Sequence, residues 1–141
     1  MLPADPVLRI RAAALATIAA HARADPAREC CGFLIGTPEQ IVEAAAATNV
    51  ADDPARRYEI SSTEYLSQIR RTRGTPYGVV GAYHSHPRSA PEPSPTDLEL
   101  AFGEFVYIIA GPVAGAGPLD ARAYRLVEGR LARIPLIVAG D

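Results

Sequence analysis

The chain has 141 residues and a formal net charge of −2, with 48% hydrophobic and 21% charged residues. This length suits one hydrophobic core, so we expect residues 1–141 to form a single domain. The near-neutral charge gives no long-range attraction to nucleic acid or to an anionic membrane, and no apolar stretch approaches the roughly 18 to 20 residues that span a bilayer.

The first part of the chain predicts a helix followed by a pair of strands. An Ala-rich amphipathic helix is expected over residues 7–23, ended by the Asp25-Pro26 pair, because apolar residues recur there at helical spacing. These apolar residues are Leu8, Leu15, Ile18 and Ala22. Residues 32–36 (GFLIG) predict a buried strand, and residues 41–47 are expected to pair with it. The polar, proline-interrupted residues 50–57 predict a surface loop.

Three residues of this region that could carry chemistry are expected to be structural. Cys30 and Cys31 are adjacent, so a disulfide between them would need a strained ring. Cys31 is expected to act as a small buried hydrophobe, and neither thiol is assigned to a metal. His21 lies in the last turn of the first helix, where a cation suits the helix dipole, and is expected at the surface. With no signal-peptide pattern at the N-terminus, a reducing cytoplasm is the expected location.

A second helix and a central strand follow. Ser61 with Glu64 forms a capping-box pattern at the start of the helix, and Gly74 marks its end. The buried stripe of this helix is predicted to consist of Tyr65, Leu66 and Ile69. Residues 77–84 are rich in valine and alanine and predict a strand in the centre of a sheet.

The remaining elements complete an α/β pattern. Residues 87–95 contain four prolines and predict an extended loop. A short helix is expected from Ser94 or Pro95 to about Phe102. Three further strands are predicted over residues 105–110, 121–127 and 131–138. The order α-β-β-α-β-α-β-β-β indicates an α/β fold in which helices pack on a sheet.

The run His84-Ser85-His86-Pro87 stands where the central strand ends. Residues two apart on a strand point to the same face, so both imidazoles can reach one ion. Asp97 follows eleven residues after His86, at the start of a predicted helix that can fold back over the strand end. Two histidines and one carboxylate are a frequent catalytic zinc set that leaves one position for water.

Two further residues complete the predicted site. Glu29 lies just before the buried strand, where partial desolvation would raise its pKa toward the range useful for a general base. Ser94 precedes Asp97 by three residues, and its hydroxyl could donate a hydrogen bond to the oxyanion of a tetrahedral intermediate.

Each of these residues also has a purely structural interpretation. Ser94-Pro95-Thr96-Asp97 is a good helix start, with a serine N-cap, a proline at the first position and an acid in the first turn. His84 and His86 alone could be surface histidines, and Glu29 alone could be a solvated charge. A helix start at Ser94 and a metal site that includes Asp97 are compatible. The combination of His84 and His86 with Asp97 and Glu29 favours the metal site.

The pattern H-S-H-P-x6-S-x-x-D, preceded by P-x-x-E-x-C-G-x-L-x-G, resembles the JAMM (MPN+) metallopeptidases, and the likeness extends to Asn49 and to residues 58–60. It implies a JAB-type fold similar to cytidine deaminase, with a mixed, mostly antiparallel sheet and flanking helices. It also implies that His84, His86 and Asp97 hold one zinc ion per chain, that Glu29 activates water and that Ser94 steadies the tetrahedral intermediate.

The resemblance implies hydrolysis of the amide bond after the C-terminal Gly-Gly of a ubiquitin-like protein. Small, stand-alone prokaryotic members are the most similar, and they are associated with ubiquitin-like sulphur-carrier proteins. The main alternative is a non-catalytic MPN scaffold that mediates protein association, although such relatives typically lack the metal ligands. A DNA-associated relative would carry a basic patch, and a zinc deaminase would need a P-C-x-x-C motif. Neither feature is present in this sequence.

Overall fold

The computed structural model of the chain describes residues 6–101, 104–113 and 117–141. In these residues eight strands and three helices follow each other along the chain. They are β1 (Leu8–Ile10), α1 (Ala12–Ala24), β2 (Cys31–Gly36), β3 (Gln40–Ala47), α2 (Ser62–Thr72), β4 (Gly78–Ser85), α3 (Pro95–Glu99), β5 (Val106–Ala110), β6 (Ala121–Val127), β7 (Arg130–Ile134) and β8 (Leu136–Val138).

The strands form one mixed sheet in the order β7-β6-β5-β4-β2-β3-β1-β8. Neighbouring strands are antiparallel except at three places, β4 with β5 and β1 with both β3 and β8. The predicted fold class, a mixed and mostly antiparallel sheet with flanking helices, is confirmed. Because β7 and β8 lie at opposite ends of this order and are joined by Pro135 alone, the sheet curves until its two ends meet.

The main core lies between α1 and the curved sheet. Every residue of β2 is buried, so this strand and β4 beside it form the centre of the fold. Ile18 of α1 packs on this centre together with Leu34 and Ile108, and all three side chains are fully shielded from solvent. Burying each of these aliphatic side chains stabilises the fold by roughly 1.5 to 3 kcal/mol. The site residues described below are attached to the ends of these central strands.

Close packing at the sheet centre requires glycine at two positions. A Cβ atom at Gly32 would overlap the ring of Tyr83 and the carbonyl oxygen of Ala45, and one at Gly81 would overlap the backbone of Val106. At Gly81 the absence of a side chain therefore lets β4 and β5 lie side by side.

The beginning of the chain differs from the prediction, because the first helix starts at Ala12 and not at residue 7. Leu8 to Ile10 form strand β1 instead, with Leu8 and Ile10 buried and Arg9 exposed. This strand pairs in parallel with β3 and with β8. Local periodicity cannot reveal it, since its partners lie about thirty and about 130 residues further along the chain.

The second helix begins where the sequence predicted. The prediction that its apolar stripe is buried was wrong for two of the three residues. The Ser61 hydroxyl accepts a hydrogen bond from the Glu64 backbone amide. Leu66 and Ile69 remain 49% and 36% exposed. The carboxylate of Glu64 accepts from the backbone amide of Thr48, so it binds the end of β3 and leaves half of the expected capping box unformed.

The predicted final strand over residues 131–138 is divided at Pro135 into β7 and β8. Proline cannot donate a backbone hydrogen bond to a neighbouring strand, and the chain changes partners at this residue. Helix α3 ends at Glu99, and Phe102, where the prediction ended it, lies outside the described residues. Among the described residues, none of the helices is both long and apolar enough to cross a membrane.

Candidate metal centre

His84 and Ser85 end β4, and the strands on both sides fix this strand end. Cys31 of β2 pairs with His84 in the antiparallel register. The Ser85 hydroxyl accepts from the backbone amide of Cys30 at 2.9 Å, and the backbone amide of Ser85 donates to the Cys30 carbonyl at 3.0 Å. On the other side, the backbone amide of His86 donates to the carbonyl of Ala110 at 2.7 Å. These hydrogen bonds therefore fix the backbone positions of both histidines.

Asp97 reaches the histidines from the first turn of α3. Its backbone amide donates to the Ser94 hydroxyl at 3.1 Å, and its Oδ2 accepts from the Ser94 backbone amide at 2.9 Å. This reciprocal capping box fixes the carboxylate while the carboxylate still faces both imidazoles. The Asp97 side chain thus completes the helix start that the sequence predicted and also lies beside both histidines.

Glu29 comes from the loop before β2 and lies against the same cluster. Its side chain is 5% exposed, and its Oε1 has no hydrogen-bond partner among the described residues. Its backbone amide donates to the carbonyl of Pro54 at 2.7 Å. One donor atom from each of Glu29, His84, His86 and Asp97 lies within 4.8 Å of the others, and all four residues are buried.

The separations of the donor atoms fit a metal ion. The Nε2 atoms of His84 and His86 lie 3.2 Å apart, and each lies 3.1 Å from an oxygen of Asp97. Ligands that bind zinc at about 2.0 Å in tetrahedral geometry are separated by about 3.3 Å. His86 Nδ1 donates to the carbonyl of Ala90 at 2.9 Å, so Nε2 is the nitrogen through which the neutral ring could bind a metal. The cluster therefore fits a metal site.

The pKa values follow from burial and from the contacts within the cluster. Burial raises the pKa of Glu29 from 4.5 to about 7, against a smaller opposing effect of His86. Burial also lowers the pKa of His84, more than the hydrogen bond to Asp97 raises it. For His86 burial acts in the same direction, but the bonds to Asp97 and Ala90 outweigh it and its pKa is raised. Burial opposes ionisation of Asp97 too, yet hydrogen bonds from both histidines leave its pKa lowered.

Tyr58 covers one side of the cluster, and the sequence did not single it out as a site residue. Its ring stacks on the imidazole of His84 with 4.3 Å between the ring centres and 20° between the planes. The ring is 7% exposed, and burial raises its pKa, so it is a neutral phenol at physiological pH. An aromatic residue eight positions beyond a loop start carries no sequence signal for this contact, which depends on how residues 50–59 fold.

A largely apolar cavity of about 350 Å³ adjoins this ring, between α2, α3 and the sheet. It is lined by Phe33, Tyr58, Glu59, Ile60, Ser62, Tyr65, Ala82, Leu100, Phe105 and Tyr107. Tyr58, which stacks on His84, is part of this lining, so the cavity offers space for an apolar group on the side of the cluster that Tyr58 covers.

The three residues set aside in the sequence analysis lie outside the cluster. Cys30 and Cys31 are free and buried, which confirms the expected role of Cys31, and burial raises the pKa of its thiol to about 12. The prediction for His21 was wrong in part, because its side chain is only partly exposed and its Nδ1 lies 2.8 Å from the Tyr83 hydroxyl. Helix α1 packs on the sheet through this contact, so His21 belongs to the helix–sheet boundary.

Comparison of the sequence with known protein families gives a match to the prokaryotic homologues of the JAB domain over residues 11–127. A desampylase of Haloferax volcanii is 38% identical over 112 residues, which cover 74% of this chain and 81% of that protein. A CysO-cysteine peptidase of Mycobacterium tuberculosis is 31% identical over 137 residues, covering 94% of this chain and 91% of the relative.

Two solved structures share the fold. The solution structure of a protein from Desulfitobacterium hafniense has a TM-score of 0.82 at 21% identity, covering 95% of this chain and 94% of the other. The solution structure of a protein from Salinibacter ruber has a TM-score of 0.68 at 29% identity, covering 94% and 92% of the two chains.

Proposed function

The chain belongs to the family of prokaryotic homologues of the JAB domain, which are of the JAMM/MPN type, and we propose that within this family it is a zinc-dependent isopeptidase. It hydrolyses the amide bond after the C-terminal Gly-Gly of a ubiquitin-like protein of the sulphur-carrier type. We assign residues 1–141 to a single metallopeptidase domain that holds one zinc ion and acts in the reducing cytoplasm.

One observation carries this proposal. Two imidazole Nε2 atoms and a carboxylate converge at separations of 3.1 to 3.2 Å, and beside them lies the carboxylate of Glu29, whose Oε1 has no hydrogen-bond partner in the described part of the chain. His84, His86 and Asp97 are the proposed ligands, and Glu29 stays free to move a proton. When bound, zinc would polarise the scissile carbonyl and make water more acidic. A protein that only mediates association would have no need to bury these four groups together, which argues against the scaffold alternative.

The protein residues supply the proton transfers and the hydrogen bond to the developing charge. Glu29 accepts the proton of the attacking water as the new C–O bond forms. It then gives this proton to the amine nitrogen as the C–N bond breaks, so the carboxylate is regenerated. The Ser94 hydroxyl oxygen accepts from Asp97, and its own proton stays available for the oxyanion. In the metal-free cluster burial raises the pKa of Glu29 to about 7, which is in the range suited to a group that both accepts and donates a proton.

The substrate class is supported by the named relatives and by the cavity. The two relatives are named a desampylase and a CysO-cysteine peptidase, and both names are those of hydrolases. The cavity beside Tyr58 would accept an apolar side chain of the substrate near the scissile bond. Strand β4 itself has no free edge to which a substrate tail could add, because β2 and β5 pair with it on both sides.

The proposal is tested by incubating the zinc-loaded protein with ubiquitin-like proteins of the host organism. Each substrate carries a C-terminal extension after Gly-Gly or is joined to a lysine through that terminus, and the products are identified by mass spectrometry. We expect at least one substrate to gain one water and yield a new terminus at the second glycine. A fully zinc-loaded protein that cleaves none of the substrates, or that cleaves elsewhere, would contradict the proposal.

A further inference from the structure

Asn49, the single asparagine of the chain, lies just after β3. Its side-chain amide forms hydrogen bonds with the backbone of a loop beside the candidate metal centre. Its Nδ2 donates to the backbone carbonyl of Glu29 at 2.8 Å, to that of Arg57 at 2.9 Å and, at a longer 3.4 Å, to that of Pro54. Its Oδ1 accepts from the backbone amides of Ala51 at 3.0 Å and Glu59 at 3.1 Å. This partly buried side chain thus makes five hydrogen bonds to backbone groups of the described residues.

These bonds connect Glu29 to the residues that surround His84. Arg57 and Glu59 flank Tyr58, whose ring stacks on the His84 imidazole. The loop itself is closed by a backbone hydrogen bond from Val50 to Glu59 at 2.9 Å. The Asn49 amide therefore holds the backbone of Glu29 at a fixed position relative to a loop that is already in contact with a proposed metal ligand.

We propose that Asn49 is a positioning residue that fixes Glu29 relative to the metal ligands, an inference that rests on the proposed function. Among the residues that the structure describes, none forms a hydrogen bond to Oε1 of the Glu29 carboxylate, so no such bond orients this oxygen. Its placement depends on the backbone, which is held by Asn49 at the carbonyl and by Pro54 at the amide. A general base must lie within hydrogen-bond reach of its proton, so a small displacement of this backbone slows proton transfer.

The role requires an amide, because the same side chain must donate to three backbone carbonyls and accept from two backbone amides. Aspartate has the same shape and keeps both accepting contacts with Ala51 and Glu59. It has no N–H group, however, and would place a carboxylate oxygen against the carbonyl of Glu29. Asn49→Asp therefore removes the donation to Glu29 with little change in volume.

The test compares wild type, Asn49→Asp and a control in the same loop. The control is Asp52→Ala, which removes the exposed ion pair between Asp52 and Arg57 and leaves the amide in place. For Asn49→Asp we expect kcat to fall about 10- to 100-fold, the effect usual for residues that orient a metal site, with KM within about threefold and zinc near one equivalent. Asp52→Ala is expected to retain the kcat, KM and zinc content of the wild type.

A merely structural role is distinguished by combining the variant with Glu29→Gln. If Asn49 acts through Glu29, Asn49→Asp causes no further loss of the residual rate in the Glu29→Gln protein. A full additional loss there, or a rise in KM with unchanged kcat, would overturn the inference.

Amide hydrogen exchange provides a readout that does not depend on hydrolysis. The Glu29 amide is expected to lose protection in zinc-loaded Asn49→Asp and to keep it in Asp52→Ala. If the wild type cleaves no substrate, the proposed function fails and the exchange data alone decide the inference. Unchanged protection at Glu29 in Asn49→Asp would then reject it.

Discussion

The Nε2 atoms of His84 and His86 lie 3.2 Å apart at the end of β4, with only Ser85 between the two residues in the chain. Two imidazole nitrogens at this distance share one neighbouring carboxylate, Asp97, which is 3.1 Å from each. A metal ion between them would be coordinated by both nitrogens and by the carboxylate, which is the physical reason for expecting these three residues to be ligands.

Removal of a proposed ligand should reduce metal binding. His84→Ala and Asp97→Ala each delete one of three expected zinc ligands, so we expect the wild type to bind about one equivalent of zinc and each variant less than half an equivalent. Zinc is measured by elemental analysis after reconstitution and removal of loosely bound metal. His21→Ala, which alters a histidine outside the cluster, serves as the control. Unchanged zinc content in both ligand variants would refute the ligand assignment.

Removal of the proposed base should abolish hydrolysis and spare the metal. Glu29→Gln keeps the size of the side chain and cannot take up a proton, so we expect kcat to fall by at least about 100-fold. Zinc content should stay near one equivalent, because the three proposed ligands are unchanged. The two quantities are measured on the same preparation. Normal turnover of the variant would remove Glu29 from the mechanism.

The raised pKa of Glu29 predicts a pH-dependent stability effect in metal-free protein. Folding raises this pKa from 4.5 to about 7, so at higher pH the unfolded state releases the proton more readily and folding is disfavoured. The penalty begins above pH 4.5 and is complete above pH 7, reaching at most about 3 kcal/mol.

Glu29→Gln removes this penalty, so we expect the metal-free variant to gain stability relative to wild type as the pH rises from 5 to 8. Urea unfolding of both proteins with a chelator present measures the difference. A difference in unfolding free energy that is the same at both pH values would show that folding does not shift this pKa.

Two serine N-caps allow the proposed oxyanion role of Ser94 to be separated from helix capping. Ser94 and Ser61 accept from the backbone amide three residues later, at 3.1 and 3.2 Å. Replacing either serine by alanine should cost about 1 kcal/mol of stability. Only Ser94→Ala should also lower kcat, by about 100- to 1000-fold if its hydroxyl stabilises the oxyanion. Equal kcat values for the two variants would leave Ser94 with capping alone.

The apolar cavity is tested with two leucines that are both exposed. Leu100 lines the cavity and is 42% exposed, whereas Leu66 is 49% exposed and is not part of its lining. Leu100→Asp places a charge where an apolar substrate group would lie, so we expect KM to rise about tenfold with little change in kcat. Leu66→Asp should alter neither constant. A similar KM for both variants would exclude the cavity from substrate binding.

The central strand and the candidate site were predicted from different features of the sequence. Strand β2 was predicted because an apolar run between glycines is typical of a buried strand, and it spans Cys31–Gly36 in the structure. His84, His86, Asp97 and Glu29 were selected by residue type and spacing, and the structure places all four side chains together. Their roles as ligands and base remain predictions that the experiments above address.

What the sequence determined by itself is strand β2, the starts of α2 and α3, and the choice of His84, His86, Asp97 and Glu29 as candidate site residues. Only the tertiary structure decided which strands pair at long range, and therefore that Leu8–Ile10 is a strand and that Pro135 divides the last one. The tertiary structure alone also decided that the ring of Tyr58 stacks on His84 and that Asn49 donates a hydrogen bond to the carbonyl of Glu29. These contacts depend on chain folding between residues distant in sequence, and no local pattern of polarity or propensity encodes them.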